Sequence, residues 1–285
     1  MATMAGTPGA FAADEAGVLL GRARQAFQQN LEREKHWNWT AIETRTLVDR
    51  SGKTLQSFPA VTAESVIRSD GKRCNAVVSW GDGKPPYLAD SDPDSRCQAM
   101  TMFRPPFGIE ALLESGQAEL VSRSAEAIVL RVLPDKARLK SDDPGVRCAA
   151  SIRATVELEA KTYFPRRIDG EVSESGCDQR FEGVVQYDYM RRTGPLRSNF
   201  RKGAAFQMKF AFQPDRFQTP DNSYWICTEE TYSQPWNTDS QTLYYWGRQV
   251  QVAPGLKAYH LEKTVKTAAR EFGVESQPHF ETVGK

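Results

Sequence analysis

Segments in which apolar and polar residues alternate, separated by short polar turns, recur through most of this chain. In residues 40–49, Ile42, Thr44, Thr46 and Val48 share one side, and Glu43 and Arg45 take the other. The same period of two runs through 61–68 and 74–80, where Cys74, Ala76, Val78 and Trp80 fall together. Side chains on a strand alternate between faces, so each segment reads as a strand. Asp49-Arg50-Ser51-Gly52-Lys53 and Ser69-Asp70-Gly71-Lys72 are turns of the kind that joins antiparallel neighbours. Further strands are predicted at 127–132, 151–159, 167–173, 180–189, 205–212, 224–232 and 242–246. No strand–helix rhythm supports a parallel sheet.

Three helices complete the pattern. The first is predicted over 14–35, capped by Asp14, with Leu20, Ala23, Phe27 and Leu31 recurring at spacings of three and four. A short second helix, 107–115, follows Arg104-Pro105-Pro106 and stops at Gly116. A third is predicted over 256–272, with Leu261, Val265, Ala268 and Phe272 as its stripe and Gly273 as its stop. The fold class is therefore α+β, dominated by one long antiparallel sheet. One domain is expected to span 14–273, with a polar tail over 274–285.

The N-terminus and the cysteines bear on compartment. Ala10-Phe11-Ala12-Ala13 before Asp14-Glu15 resembles the small-residue end of a secretory signal, so residues 1–13 are expected to be a signal remnant or a disordered tail. Five cysteines stand at 74, 97, 148, 177 and 227, with no C-x-x-C pair, and only three histidines at 36, 260 and 279. That inventory does not make a zinc site. Cys74, Cys97, Cys148 and Cys177 lie beside charged or turn residues. Adjacency favours disulfides Cys74–Cys97 and Cys148–Cys177, each worth ~3 kcal/mol, although four cysteines allow three pairings. Five reduced, buried thiols are the alternative. Cys227, in Tyr224-Trp225-Ile226-Cys227-Thr228, reads as a buried strand residue.

Charge and catalytic motifs exclude more than they assign. Lys plus Arg number 37 against 36 Asp plus Glu, a net charge of +1. No bulk electrostatic case for nucleic acid or an anionic membrane follows from that balance. No stretch approaches the ~18 apolar residues of a spanning helix. Asp90, Asp92 and Asp94 alternate like a calcium loop, but Ser95 stands where that loop needs Gly and Thr101 where it needs Glu. A flexible acidic turn is the better reading, and Asp142-Asp143-Pro144-Gly145 is likewise a turn. No G-x-S-x-G elbow nominates a serine nucleophile. Glu229 and Glu230 fall on opposite strand faces and cannot act as a pair. No catalytic residue, metal or cofactor is expected.

The aromatic residues are more informative. Trp37, Trp39, Phe103, Phe107, Tyr224, Trp225, Trp236 and Tyr244-Tyr245-Trp246 exceed what a thin one-sheet fold needs. A sheet curving around loosely packed helices leaves an apolar cavity lined by such residues and by Met. The bland alternative is that they simply close the core.

A long N-terminal helix, a curved antiparallel sheet interrupted by a helical segment, and export with disulfides resemble the periplasmic lipoprotein-sorting proteins of the LolA/LolB-like group. The element order carries this resemblance, over the strands of 39–80 and 127–189, and no diagnostic motif does. It implies a half-barrel whose lid helices and concave face shelter acyl chains or a hydrophobic partner. Residues 193–285, the five cysteines and the prolines depart from that family.

The reading that follows is an exported envelope protein, periplasmic or extracellular, that binds a lipid, an acylated protein or another apolar molecule without catalysis. Its lid is placed at 100–116. Its ligand-binding residues are Trp39, Trp80, Met102, Phe103, Phe107, Leu112, Phe181, Tyr187 and Trp225. One rival is an envelope interaction module with a filled core. The other is a hydrolase whose Ser or Asp would lie within hydrogen-bond reach of His36 or His260.

Overall fold

The computed structural model describes residues 8–34, 36–82, 109–114, 117–142, 146, 150–172, 206–214, 224–245 and 248–270. The predicted strand at 180–189, the acidic turn at Asp90–Asp94 and most of the lid lie outside them.

The chain opens with helix α1, Pro8–Glu34. It starts earlier than Asp14 because Pro8 suits a first helical position and the alanines behind it are strong helix formers. Ala16, Leu19, Leu20, Ala23 and Phe27, spaced three or four apart, form its buried stripe. Four strands follow: β1 (Trp39–Val48), β2 (Thr54–Ser57), β3 (Val61–Ile67) and β4 (Arg73–Trp80). Helix α2 (Ile109–Leu113) leads into β5 (Ala118–Arg123), β6 (Ala127–Val132), β7 (Ile152–Glu159), β8 (Pro165–Val172), β9 (Phe206–Pro214) and β10 (Trp225–Pro235). A hairpin, β11 (Thr242–Tyr245) and β12 (Arg248–Gln251), precedes β13 (His260–Ala269).

Eleven strands make one antiparallel sheet in the order β4-β3-β1-β13-β10-β9-β8-β7-β6-β5, with β2 also paired to β1. Two runs of paired strands, β4-β3-β1 and β10 to β5, are joined by β13, which pairs with β1 on one side and β10 on the other. The sheet is curved and open, with β4 and β5 at its two edges. This is the α+β half-barrel.

One predicted element is overturned. Residues 260–269 are the strand at the centre of the sheet, not a C-terminal helix. Leu261 and Val265 stand four apart, a spacing that places them together on a helix and on a strand alike. The intervening inward position is Lys263, whose charge hid the period of two.

Among the described residues the buried apolar side chains fall into two large clusters and one small one. The first lies under α1 and α2 and takes in β5 to β10. Its centre is aromatic: the Phe164 ring lies 5.0 Å from Trp225, stacked, and 5.3 Å from Phe212, edge-on, with Phe27 of α1 wedged against both phenylalanines. The second lies under the hairpin and gathers Leu47, Phe58, Val61, Val77, Trp80, Trp236, Leu243, Val252, Ala258 and Leu261.

Candidate functional site

The inner face of the sheet holds these two cores and a polar seam between them. Strand register sets the seam directly. Glu43, Val265 and Glu230 stand side by side across β1, β13 and β10, and Arg45, Lys263 and Tyr232 form the next row. In β1 it is thus the side bearing Glu43 and Arg45 that faces inward: Glu43 is 1% exposed, whereas Ile42 on the other face is 46% exposed. Beyond the seam, Leu47 and Leu261 pair within the second core.

The groups in the seam are joined to one another. Arg45 donates to the Glu43 carboxylate and forms an ion pair with it. Tyr232 Oη–H donates to Glu230 Oε2 at 2.9 Å, and Lys263 Nζ lies 4.5 Å from the Tyr232 ring centroid. Burial dominates the titration of all three. It raises the Glu230 carboxyl against the pull of Lys263 and the Tyr232 hydrogen bond. It lowers the Lys263 ammonium despite Glu43. The Tyr232 hydroxyl is pushed well up, first by burial and then by Glu230. Charged groups out of water are costly to a fold even when paired.

Helix α1 is fixed over the first core by polar ties. Asn30, 6% exposed, donates from Nδ2 to Trp225 O and accepts from Trp225 N–H, both at 2.8 Å. Arg22 donates to Tyr163 Oη at 2.8 Å and lies over that ring. Arg24 pairs with Glu114 and Arg123 with Glu15 on the exposed rim.

The structure separates the residues named from sequence. Trp39 begins β1 and is half-buried; Trp80 ends β4 and is 1% exposed in the second core. Leu112 is fully buried in the first core beside Leu113, and Trp225 is packed against the same core. Met102, Phe103, Phe107, Phe181 and Tyr187 lie outside the described residues, as do Cys97, Cys148 and Cys177. Cys74, on β4, is fully buried. Cys227 is a free thiol whose pKa is raised well above the ordinary cysteine value, first by burial and then by Glu230. Among the described residues no Ser, Asp or Glu side chain hydrogen-bonds His36 or His260. Nor do those residues hold three or more His, Cys, Asp or Glu grouped as a metal site. The seam itself escaped the sequence reading, because the Glu43 and Arg45 pair is far in the chain from Glu230 and Lys263 and meets them only through strand pairing.

Fold and inner face together define an α+β protein built on a single open antiparallel sheet, with a helix and a hairpin covering separate cores. No known family profile matches the chain, and no curated protein matches it in sequence. Among solved structures it is similar to the MucA/MucB complex of Pseudomonas aeruginosa, at 12% identity over 90% of this chain and 94% of that one, with a TM-score of 0.21. A crystal structure of MucB in complex with MucA(peri) is matched at 11% identity over the same shares, with a TM-score of 0.20. Similarity at this level fixes no function.

Proposed function

We propose that this chain is a non-catalytic binding protein of the cell envelope that takes an apolar molecule, a lipid or an acylated protein against the inner face of its half-barrel. One observation carries the reading: the apolar side chains of the sheet are covered by pieces that are not part of it. Helix α1 and the β11–β12 hairpin both pack on the inner face, and among the described residues the hairpin's strands pair with each other and not with the main sheet. The sheet's own ladder stays intact if either cover shifts, so apolar surface is available without unfolding. Burial of an acyl chain there supplies ~0.8 kcal/mol per CH₂. Trp39, Trp80, Met102, Phe103, Phe107, Leu112, Phe181, Tyr187 and Trp225 remain the proposed lining, and 100–116 the proposed lid. Export rests on the cysteines, with Cys74–Cys97 and Cys148–Cys177 as the proposed pairs. Among the described residues no helix is long and apolar enough to cross a membrane.

Titration with a dansyl-labelled fatty acid tests the reading, together with mass spectrometry of material extracted from protein purified from its native host. Saturable binding and a co-purifying apolar molecule are expected. Failure of both leaves the second reading, an interaction module for a protein partner. The close packing of Trp80 and Leu112, 1% and 0% exposed, is the observation that favours it.

A further inference from the structure

The polar seam interrupts an otherwise apolar face. On β13 Lys263 stands between Leu261 and Val265, and on β1 Glu43 and Arg45 stand between Ala41 and Leu47, with these apolar neighbours all buried. Well-packed apolar side chains in place of such charges are often as stable or more so. Nor is the seam sealed. Glu43 and Tyr232 are closed off, but Arg45, Glu230 and Lys263 are only half-buried. Burial nevertheless dominates the titration of Glu230 and Lys263. Side chains that keep contact with solvent and are still desolvated lie in a concave recess, with protein around most of each group.

Among the described residues the charges of this recess balance, Glu43 and Glu230 against Arg45 and Lys263. Around Glu230 stand Lys263 from β13, Tyr232 and the Cys227 thiol from β10 itself, Glu43 with Arg45 from β1, and Glu34 at the end of α1, beside Arg73. A charge that enters a balanced recess leaves it unbalanced unless a group there gains or loses a proton. For an anion, Glu230 takes up a proton; for a cation, Lys263 gives one up. The first is easier at neutral pH, because a carboxyl starting from 4.5 is closer to its titration than an ammonium starting from 10.5. The surroundings act in the same sense. Glu34 and Glu43 disfavour a charge on Glu230, whereas Glu43, Glu230 and the Tyr232 ring hold the charge on Lys263.

We propose that the seam is the head-group site of an anionic amphiphile, whose acidic head lies against Lys263 while Glu230 takes up one proton. This rests on the apolar-ligand reading above and names the ligand's class: one negative head on an apolar chain. A neutral amphiphile gains nothing from the seam, so the seam selects among ligands that the apolar surface alone would not tell apart.

Isothermal titration calorimetry with 1-dodecanesulfonate, kept below its micelle concentration, tests this, because a sulfonate stays ionised throughout. Heats measured in buffers of different protonation enthalpy give the protons taken up. Affinity of the intact chain is expected to rise from about pH 8 to about pH 6, by up to about tenfold per unit, with net proton uptake. In Glu230→Gln both the slope and the uptake are expected to vanish, with binding at about pH 8 at least as tight as that of the wild type at about pH 6. Lys263→Met is expected to bind about tenfold or more weakly, the loss of a charge-assisted contact. Binding without proton uptake, uptake that persists in Glu230→Gln, or unchanged affinity in a folded Lys263→Met each overturns the seam site. Should Lys263→Met fail to fold, the proton count decides. A chain that binds the dansyl-labelled fatty acid but not dodecanesulfonate overturns the seam site and leaves the broader reading standing; one that binds neither overturns both.

Discussion

Glu230 and His260 respond to pH in opposite directions, and both for reasons of burial. The Glu230 carboxyl titrates above its ordinary 4.5 in the folded chain, because burial outweighs the attraction of Lys263. Folding therefore favours its protonated form. The resulting destabilisation is full above the raised value and fades as pH falls toward 4.5. In Glu230→Gln the amide oxygen still accepts from Tyr232, but this titration is gone. The stability of the wild type relative to that variant is expected to rise as pH falls through the window just above 4.5, read by urea unfolding. A pH-independent difference would mean that Glu230 is hydrated. The His260 imidazole titrates below its ordinary 6.5, chiefly through burial, opposed by Glu262. Its contribution is a loss of stability as pH falls below 6.5, which His260→Gln is expected to remove.

At the scale of elements, strands that alternate cleanly were legible and those with an interrupted face were not. Strand β6 follows the pattern of Ile128, Leu130 and Val132 inward and lies where that pattern places it. Strand β5 is an exposed edge with a bulge beside Val121 and charged Glu119 and Arg123, so no apolar face announces it. Such charges and bulges also defend an edge against pairing with other chains. Helix α1 depends on two kinds of contact that variants separate. Phe164→Ala, which empties the ring cluster under the helix, is expected to cost ~3–5 kcal/mol in chemical denaturation. Asn30→Ala leaves the Trp225 N–H and C=O without their partner and is expected to cost ~1–3 kcal/mol. If Asn30→Ala proved neutral, the helix would be held by its apolar stripe alone.

For the whole molecule, the disulfide framework is the sharpest test of compartment. Non-reducing peptide mapping of alkylated native protein is expected to find Cys74 joined to Cys97, Cys148 joined to Cys177, and Cys227 free. Reduced Cys97, Cys148 and Cys177 would defeat both the pairing and the proposal of export, since stable disulfides belong to oxidising compartments. The sequence by itself determined the class of the molecule. Alternation of period two and short polar turns are local properties, and they sufficed for a long antiparallel sheet behind an N-terminal helix. Only the tertiary structure decided the order and register in which the strands of that sheet pair. Residues 260–269 carry a spacing compatible with helix or strand, and the choice fell to β1 and β10, whose unpaired edges take hydrogen bonds from both sides of β13. That pairing then turned Glu43, Arg45, Glu230 and Lys263 to one face and split the apolar residues into two cores. Neither is written in any single stretch of the chain, because strand register is a relation between segments more than 180 residues apart, as in Glu43↔Val265.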